Sequence, residues 1–151
     1  MMKIGIANDH AGTPLKLELV DYLSSLGHEI INYGTDSLTS SDYPLQGEIL
    51  AKAINNKEVE LGIAICGTGL GISYACNKVR GIRAACCSES ASARLAREHN
   101  NAQIVCFGAR IVGLELAKEI CKTFIDTPFS FEERHQKRID MIQEIEERQG
   151  E

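Results

Sequence analysis

The run Glu60–Val79, ELGIAICGTGLGISYACNKV, restricts the possible folds more than any other part of the chain. Leu61, Ile63, Ala64 and Ile65 form a short apolar run without polar interruption, the pattern of a strand buried on both faces. The run ends at Cys66, and Gly67, Thr68, Gly69, Leu70 and Gly71 follow without a charge. Beyond them Ile72, Ala75, Cys76 and Val79 recur at helical spacing, so the glycines sit where a strand hands over to a helix. Such a turn lets several backbone N–H groups converge, and a helix N-terminus adds partial positive charge. A thiol beside that field is favoured as its thiolate. One short stretch thus supplies a candidate base or nucleophile, Cys66, and an anion cradle.

The rest of the chain repeats the strand-then-helix pattern. Residues 3–7 read as a strand ending at Asn8-Asp9-His10, and Thr13-Pro14 opens a helix whose apolar face is Leu15, Leu19, Leu23 and Leu26, stopped by Gly27. Residues 29–33 read as a second strand and 34–42 as a polar loop. Tyr43-Pro44 then opens a helix carrying Ile49, Leu50, Ala53 and Ile54. After the glycine turn come a strand over 81–86 and a helix over 88–99 with Ala91, Leu95 and Ala96 inward. A strand over 103–107 follows, then a helix over 113–125 with Leu114, Ala117, Ile120, Cys121 and Phe124 inward. A charged helix over 131–148 closes the chain, with Ile139, Ile142 and Ile145 as its apolar line. Five strand–helix alternations predict a five-stranded parallel sheet with helices on both faces, plus the C-terminal helix. Such sheets bind ligands beyond the carboxyl ends of their strands, where this chain places Asp9, His10, Cys66, Thr68, Ser88 and Arg110.

Composition narrows the function. The 151 residues suit one domain with a full core. A net charge of −5 argues against nonspecific nucleic-acid binding, so any anionic ligand is held by a local cluster. The start, MMKIGIAND, lacks a signal-peptide pattern and no apolar run reaches membrane-spanning length, so a cytoplasmic protein with no membrane partner is expected. Cys76, Cys86, Cys87, Cys106 and Cys121 read as small packing residues of a reducing compartment. No CxxC pair exists and the four histidines have no ligand spacing, so no metal site is expected.

The glycine turn matches none of the common phosphate loops. It reads GxGxG at the third strand where a dinucleotide fingerprint is GxGxxG at the first. GIAICGT from Gly62 to Thr68 lacks the P-loop lysine, and Ile72 stands where a CxxxxxR phosphatase needs arginine. The other polar residues keep two readings each. Asp9-His10 is a helix cap with a surface histidine, or part of a site at a strand end. His99-Asn100 is a frayed helix end taken alone. Arg134 and Arg138, four apart, suit either a solvated face or a phosphate.

Taken together, Asp9-His10, Asp42-Tyr43-Pro44, ICGTGLGIS followed by CNKVRGIRA, CSE at 87–89, REHN at 97–100, FGAR at 107–110 followed by VGLELA, and RHQKR at 134–138 resemble the type B ribose-5-phosphate isomerase family, a group that includes galactose-6-phosphate and allose-6-phosphate isomerases. The resemblance spans nearly the whole chain and implies a Rossmann-like three-layer α/β/α sandwich, isomerisation of a phosphorylated sugar, and no metal or organic cofactor. It implies Cys66 as the base that moves a proton between C2 and C1, and His99 as the acid that helps open the sugar ring. The backbone from Gly67 through Gly69 to Gly71 would hold the enediolate oxygens. Asp9, Thr68 and Asn100, with Tyr43 nearby, would meet sugar hydroxyls. His10, Arg110, Arg134 and Arg138 would meet phosphate. It also implies a homodimer or homotetramer in which the C-terminal arginines reach a neighbouring subunit's pocket. Asn8 departs from the small or sulfur-containing residue common in relatives, and no role is assigned to it. A hexose 6-phosphate isomerase and a non-catalytic sugar-phosphate binder are the alternatives. A redox protein using Cys66 is disfavoured by the lack of a resolving cysteine close to it in the sequence.

Overall fold

Five strands, β1 (Lys3–Asn8), β2 (Glu29–Asn32), β3 (Leu61–Cys66), β4 (Ala84–Cys86) and β5 (Ile104–Gly108), pair in the order β2-β1-β3-β5-β4 in the computed structural model, which describes residues 1–150. Every pairing is parallel. Six helices connect and flank them: α1 (Thr13–Ser25), α2 (Tyr43–Asn55), α3 (Leu70–Asn77), α4 (Ser90–Asn100), α5 (Leu114–Asp126) and α6 (Glu133–Gln149).

Side-chain alternation along the strands sorts the layers. Ile4, Ile6, Ile63, Ile65, Val105 and Phe107 point to one face and pack with α1, α4 and α5. Ala7, Ala64, Cys66, Ile104 and Cys106 point to the other, under Leu50 and Ala51 of α2 and Ile72 and Cys76 of α3. That second face is built of small residues, which lets α2 lie close: a Cβ on Gly5 would come within 2.7 Å of Leu50 Cδ1. The result is the three-layer α/β/α sandwich that the alternation predicts. The chain leaves β1 toward one edge of the sheet and β3 toward the other. Their departing loops diverge and open a crevice at the carboxyl ends of the two strands, the switch point where open sheets take ligands.

Several helix faces differ from the predicted ones. Leu19 and Leu23 of α1 are buried, but Leu26 lies past the helix end and is exposed. Lys16 is buried completely one turn before Leu19. Its Nζ pairs with Asp36 and donates to Asn32 Oδ1 and the Thr35 carbonyl, each at 3.1 Å. In α4 the inward residues are Ala93 and Ala96, while Ala91 and Leu95 face out. Ile49 of α2 is exposed. Strand β4 is half the predicted length, because the chain still turns at Gly81 (φ +82°) and joins the ladder only at Ala84. Cys86 is exposed at this edge strand and is not a packing residue. In α6 only Ile139 of the predicted apolar line is buried; Ile142 and Ile145 are about half exposed, at 48% and 50%.

Candidate active site at the carboxyl ends of β1 and β3

Cys66 is the last residue of β3 and its side chain faces the α2/α3 layer, 3% exposed. The backbone folds over the sulfur, and the Gly69 N–H donates to Cys66 Sγ at 3.2 Å. Gly69 reaches that position with φ +81°, in the left-handed region that favours glycine, and it caps α3. Its Cα lies so close to β5 that a Cβ would meet the Phe107 carbonyl carbon at 2.6 Å. Thr68 Oγ1 accepts from the Leu70 N–H at 3.2 Å, which braces the turn from outside. The amides of Gly67, Thr68 and Gly71 have no hydrogen-bond partner among the described residues. Three N–H groups therefore remain for an anion next to the thiol.

The walls of the cleft come from three other loops. Arg110 leaves β5 with its N–H on the Gly67 carbonyl at 3.0 Å, and its guanidinium lies over Gly67 where a Cβ would meet Cζ at 3.3 Å. That guanidinium has no carboxylate partner among the described residues. Asp9 caps the short 3-10 turn His10–Gly12 with Oδ1 on the Ala11 N–H at 3.0 Å, so the capping reading holds, and the residue also lines the cleft. Tyr43, the first residue of α2, lays its ring over Gly71. Asp9, His10, Tyr43, Cys66, Gly67, Thr68, Gly71 and Arg110 together line a cleft of about 240 Å³. Ser88 is exposed and does not line it.

Four predicted site residues lie elsewhere. Helix α4 starts beyond the carboxyl end of β4 and runs back for 11 residues, about 16 Å at 1.5 Å per residue, so His99 and Asn100 sit at the opposite edge of the sheet from Cys66. Asn100 accepts there from Arg83 Nε at 2.8 Å, just ahead of β4. The first turn of α6 covers this spot. His99 and His135 stack with ring centroids 4.4 Å apart, and the Ser130 N–H donates to the Glu98 carbonyl at 3.0 Å. Arg134 pairs with Glu132 at 3.1 Å, and Arg138, one turn on, is exposed and unpaired among the described residues. The chain thus carries two separate polar clusters, the thiol cleft at the carboxyl ends of the strands and a His/Arg cluster toward their amino ends. Of the six residues expected together at the strand ends, five line the cleft and Ser88 does not; His99 and Asn100, named from the resemblance alone, are carried away from it by the direction of α4.

Three residues of these two clusters drew no role from the sequence. Asn8 is buried and its Nδ2 donates to the Asp9 carbonyl at 2.8 Å and the Thr35 carbonyl at 2.9 Å, tying the end of β1 to the following loop. Ser41 contacts His10. His135 is 5% exposed, with Nδ1 2.6 Å from Ser130 Oγ, and burial together with the charge of Arg134 holds its imidazole below the ordinary histidine value. Only the RHQKR run marked His135, and only as a neighbour of the arginines. Among the other thiols, burial pushes Cys87 up to about 11. The hydrogen bond with Cys76 and complete burial push Cys106 well above the ordinary value, and burial does the same to Cys121. These three stay protonated at neutral pH and serve packing. Among the described residues, no group of three or more His, Cys, Asp or Glu side chains is placed to hold a metal ion, and no helix is long and apolar enough to cross a membrane.

A parallel α/β sheet with a thiol and a nest of free amides at its switch point defines a protein built to act on a small anionic ligand. The chain belongs to the Ribose/Galactose Isomerase family, whose model matches residues 4–142. It is 46% identical over 150 residues to ribose-5-phosphate isomerase B of Escherichia coli (strain K12), covering 99% of this chain and 100% of that protein. It is 37% identical to galactose-6-phosphate isomerase subunit LacB of Clostridium acetobutylicum, over 95% of this chain and 83% of that one. The solved structure of Clostridium thermocellum ribose-5-phosphate isomerase B superimposes with a TM-score of 0.95 at 50% identity, covering 97% of this chain and 99% of that one.

Proposed function

We propose that the chain is an aldose–ketose isomerase that interconverts D-ribose 5-phosphate and D-ribulose 5-phosphate, with Cys66 as the base. The observation that carries this reading is the buried Cys66 sulfur, held by the Gly69 amide at 3.2 Å and flanked by three unpartnered N–H groups. The open-chain aldose places C2 against Sγ. The thiolate removes the C2 proton, the electron pair moves to the C1 carbonyl oxygen, and the enediolate forms. Transfer of the hydroxyl proton from O2 to O1 and return of the carbon-bound proton from the thiol to C1 leave the carbonyl at C2 and regenerate the thiolate. Charge develops on oxygen, so donors already aimed at it supply the largest share of the rate enhancement, and backbone amides do so without a metal. Asp9, Thr68 and Tyr43 meet sugar hydroxyls, while His10 and Arg110 meet the phosphate. The whole chain, residues 1–151, serves as one isomerase domain on this reading, and the six free thiols fit a cytoplasmic setting.

The second half-site needs a second copy. His99, Asn100, Arg134 and Arg138 lie away from the Cys66 cleft of their own protomer, and α6 leaves Met141, Ile142 and Ile145 about half exposed although Glu146, near its end, accepts from the Gly81 N–H at 2.9 Å. A homodimer that joins the thiol cleft of one protomer to the His/Arg cluster of the other completes the site and covers those apolar residues. The test is kcat/KM for D-ribose 5-phosphate beside D-allose 6-phosphate and D-galactose 6-phosphate, with Cys66→Ala as control. Preference for the pentose that disappears in the variant is the expected result. Near-native turnover in Cys66→Ala removes the thiol mechanism, and preference for a hexose moves the substrate to the galactose branch of the family.

A further inference from the structure

The loop between β2 and α2 lies against the cleft, and its hold on His10 has a chemical consequence. Its backbone is pinned from below by buried side chains: Asn8 Nδ2 and Lys16 Nζ donate to the Thr35 carbonyl at 2.9 and 3.1 Å, and Thr13 Oγ1 donates to the Ser37 carbonyl at 2.8 Å. Lys16 also pairs with Asp36. Ser41, near the end of this anchored loop, grips His10 three ways. Its Oγ accepts from the His10 N–H at 3.1 Å, its own N–H donates to His10 Nδ1 at 3.1 Å, and its carbonyl lies 3.3 Å from the same Nδ1.

We propose that Ser41 is a positioning residue that fixes the His10 tautomer, so that the imidazole meets the substrate phosphate as a hydrogen-bond donor through Nε2–H. A ring nitrogen that accepts a hydrogen bond carries no proton, so the neutral ring bears its proton on Nε2. Should the ring gain a second proton, Nδ1–H donates to the Ser41 carbonyl without any rotation of the ring. Nε2–H is therefore present in both charge states. Nε2 has no protein partner among the described residues, and the ring shares its cleft with Asp9, Tyr43, Cys66 and the Arg110 cation. Ionised phosphate oxygens only accept, so the other tautomer would set a lone pair against them. This inference rests on the phosphate reading of the cleft, while its test does not depend on turnover.

The experiment is a long-range ¹H–¹⁵N correlation on the full chain labelled at histidine, with His10 identified by its loss in His10→Gln. With His10 neutral, Nδ1 is expected at a pyridine-like shift and Nε2 at a pyrrole-like one, and inorganic phosphate is expected to move Nε2. Ser41→Pro removes the amide donor and is expected to mix the tautomers and to raise KM for ribose 5-phosphate about tenfold, more than it lowers kcat. Ser41→Ala keeps the amide and is expected to keep the tautomer. His10→Gln places an amide nitrogen near the Nε2 position, so its KM stays closer to native than that of His10→Asn. A pyrrole-like Nδ1 in the native protein, a phosphate response at Nδ1 alone, or an unchanged tautomer in Ser41→Pro overturns the proposal. A protein with the expected tautomer and no isomerase activity overturns the isomerase reading instead.

Discussion

Replacing Gly69 by alanine separates two costs that the glycine avoids. At φ +81° a residue with a Cβ sits in the left-handed region, which costs about 1–2 kcal/mol. The new Cβ would also lie 2.6 and 2.7 Å from the carbonyl carbon and Cα of Phe107, backbone atoms of a buried strand that cannot turn aside. Overpacking of that kind adds about 1–3 kcal/mol, for a total of about 2–5 kcal/mol. Gly27 provides the control, since it has φ +92° with nothing within 4 Å of its Cβ position, so Gly27→Ala carries only the first cost. Against a total stability of about 5–15 kcal/mol, both variants fold. Urea unfolding at equal m-value reads the difference directly. To relieve the clash, the turn must move off β5 and take the Gly69 N–H away from Cys66 Sγ. Loss of a hydrogen bond to a charged sulfur costs about 1.5–3 kcal/mol, so kcat is expected to fall about 10- to 100-fold, whereas Gly27→Ala retains full activity. Equal destabilisation of the two variants, with kcat retained in Gly69→Ala, would refute the claim that packing on β5 aims the turn.

Two further outcomes follow from the His/Arg cluster. The His135 imidazole is held below its ordinary value of about 6.5, so the unfolded chain binds the extra proton first. Its contribution to stability is complete above about pH 6.5 and is lost as pH falls through the lower folded value; Tm measured from pH 8 to 5 should drop less steeply in His135→Gln than in the native protein. Arg138→Ala is expected to raise KM for ribose 5-phosphate more than it lowers kcat, since a remote phosphate contact serves ground state and transition state alike. Initial rates across substrate concentration check this, and an unchanged KM would show that the arginine is merely solvated.

The sheet and the crevice at its carboxyl ends were legible because their signals are local. An uninterrupted apolar run, a glycine turn and a helical apolar spacing in Glu60–Val79 translate directly into β3, the nest and α3. Asp9, His10, Thr68 and Arg110 follow because each stands just past a strand around the same crevice, whereas Ser88, read the same way, does not line it and Tyr43 was marked only by the family resemblance. What the sequence left hidden depends on long-range pairing. Lys16 drew no reading from the sequence, and its burial depends on Asp36 and Asn32, which reach it from beyond the helix to satisfy its charge. Asn8 and Ser41 gain their parts only when the loop after β2 folds over β1. Ala91 and Leu95 turn outward because the face of α4 that meets α5 passes through Ala93 and Ala96. Ile142 and Ile145 read as part of the apolar line of α6, yet they stay about half exposed beside a groove lined by Ile82, Ala84 and Ala96 of the same chain.

Subunit mixing tests the joining of the two half-sites most directly. Cys66→Ala and the double variant His99→Ala/Arg138→Ala are each expected to be inactive or nearly so, one lesion in each half. Unfolded together and refolded in equal amounts, they form mixed dimers in which one site carries both lesions and the other carries neither. With half of the dimers mixed, about a quarter of native activity returns. No recovery, with mixed dimers verified by mass, would place both halves of the site in one protomer and contradict the account.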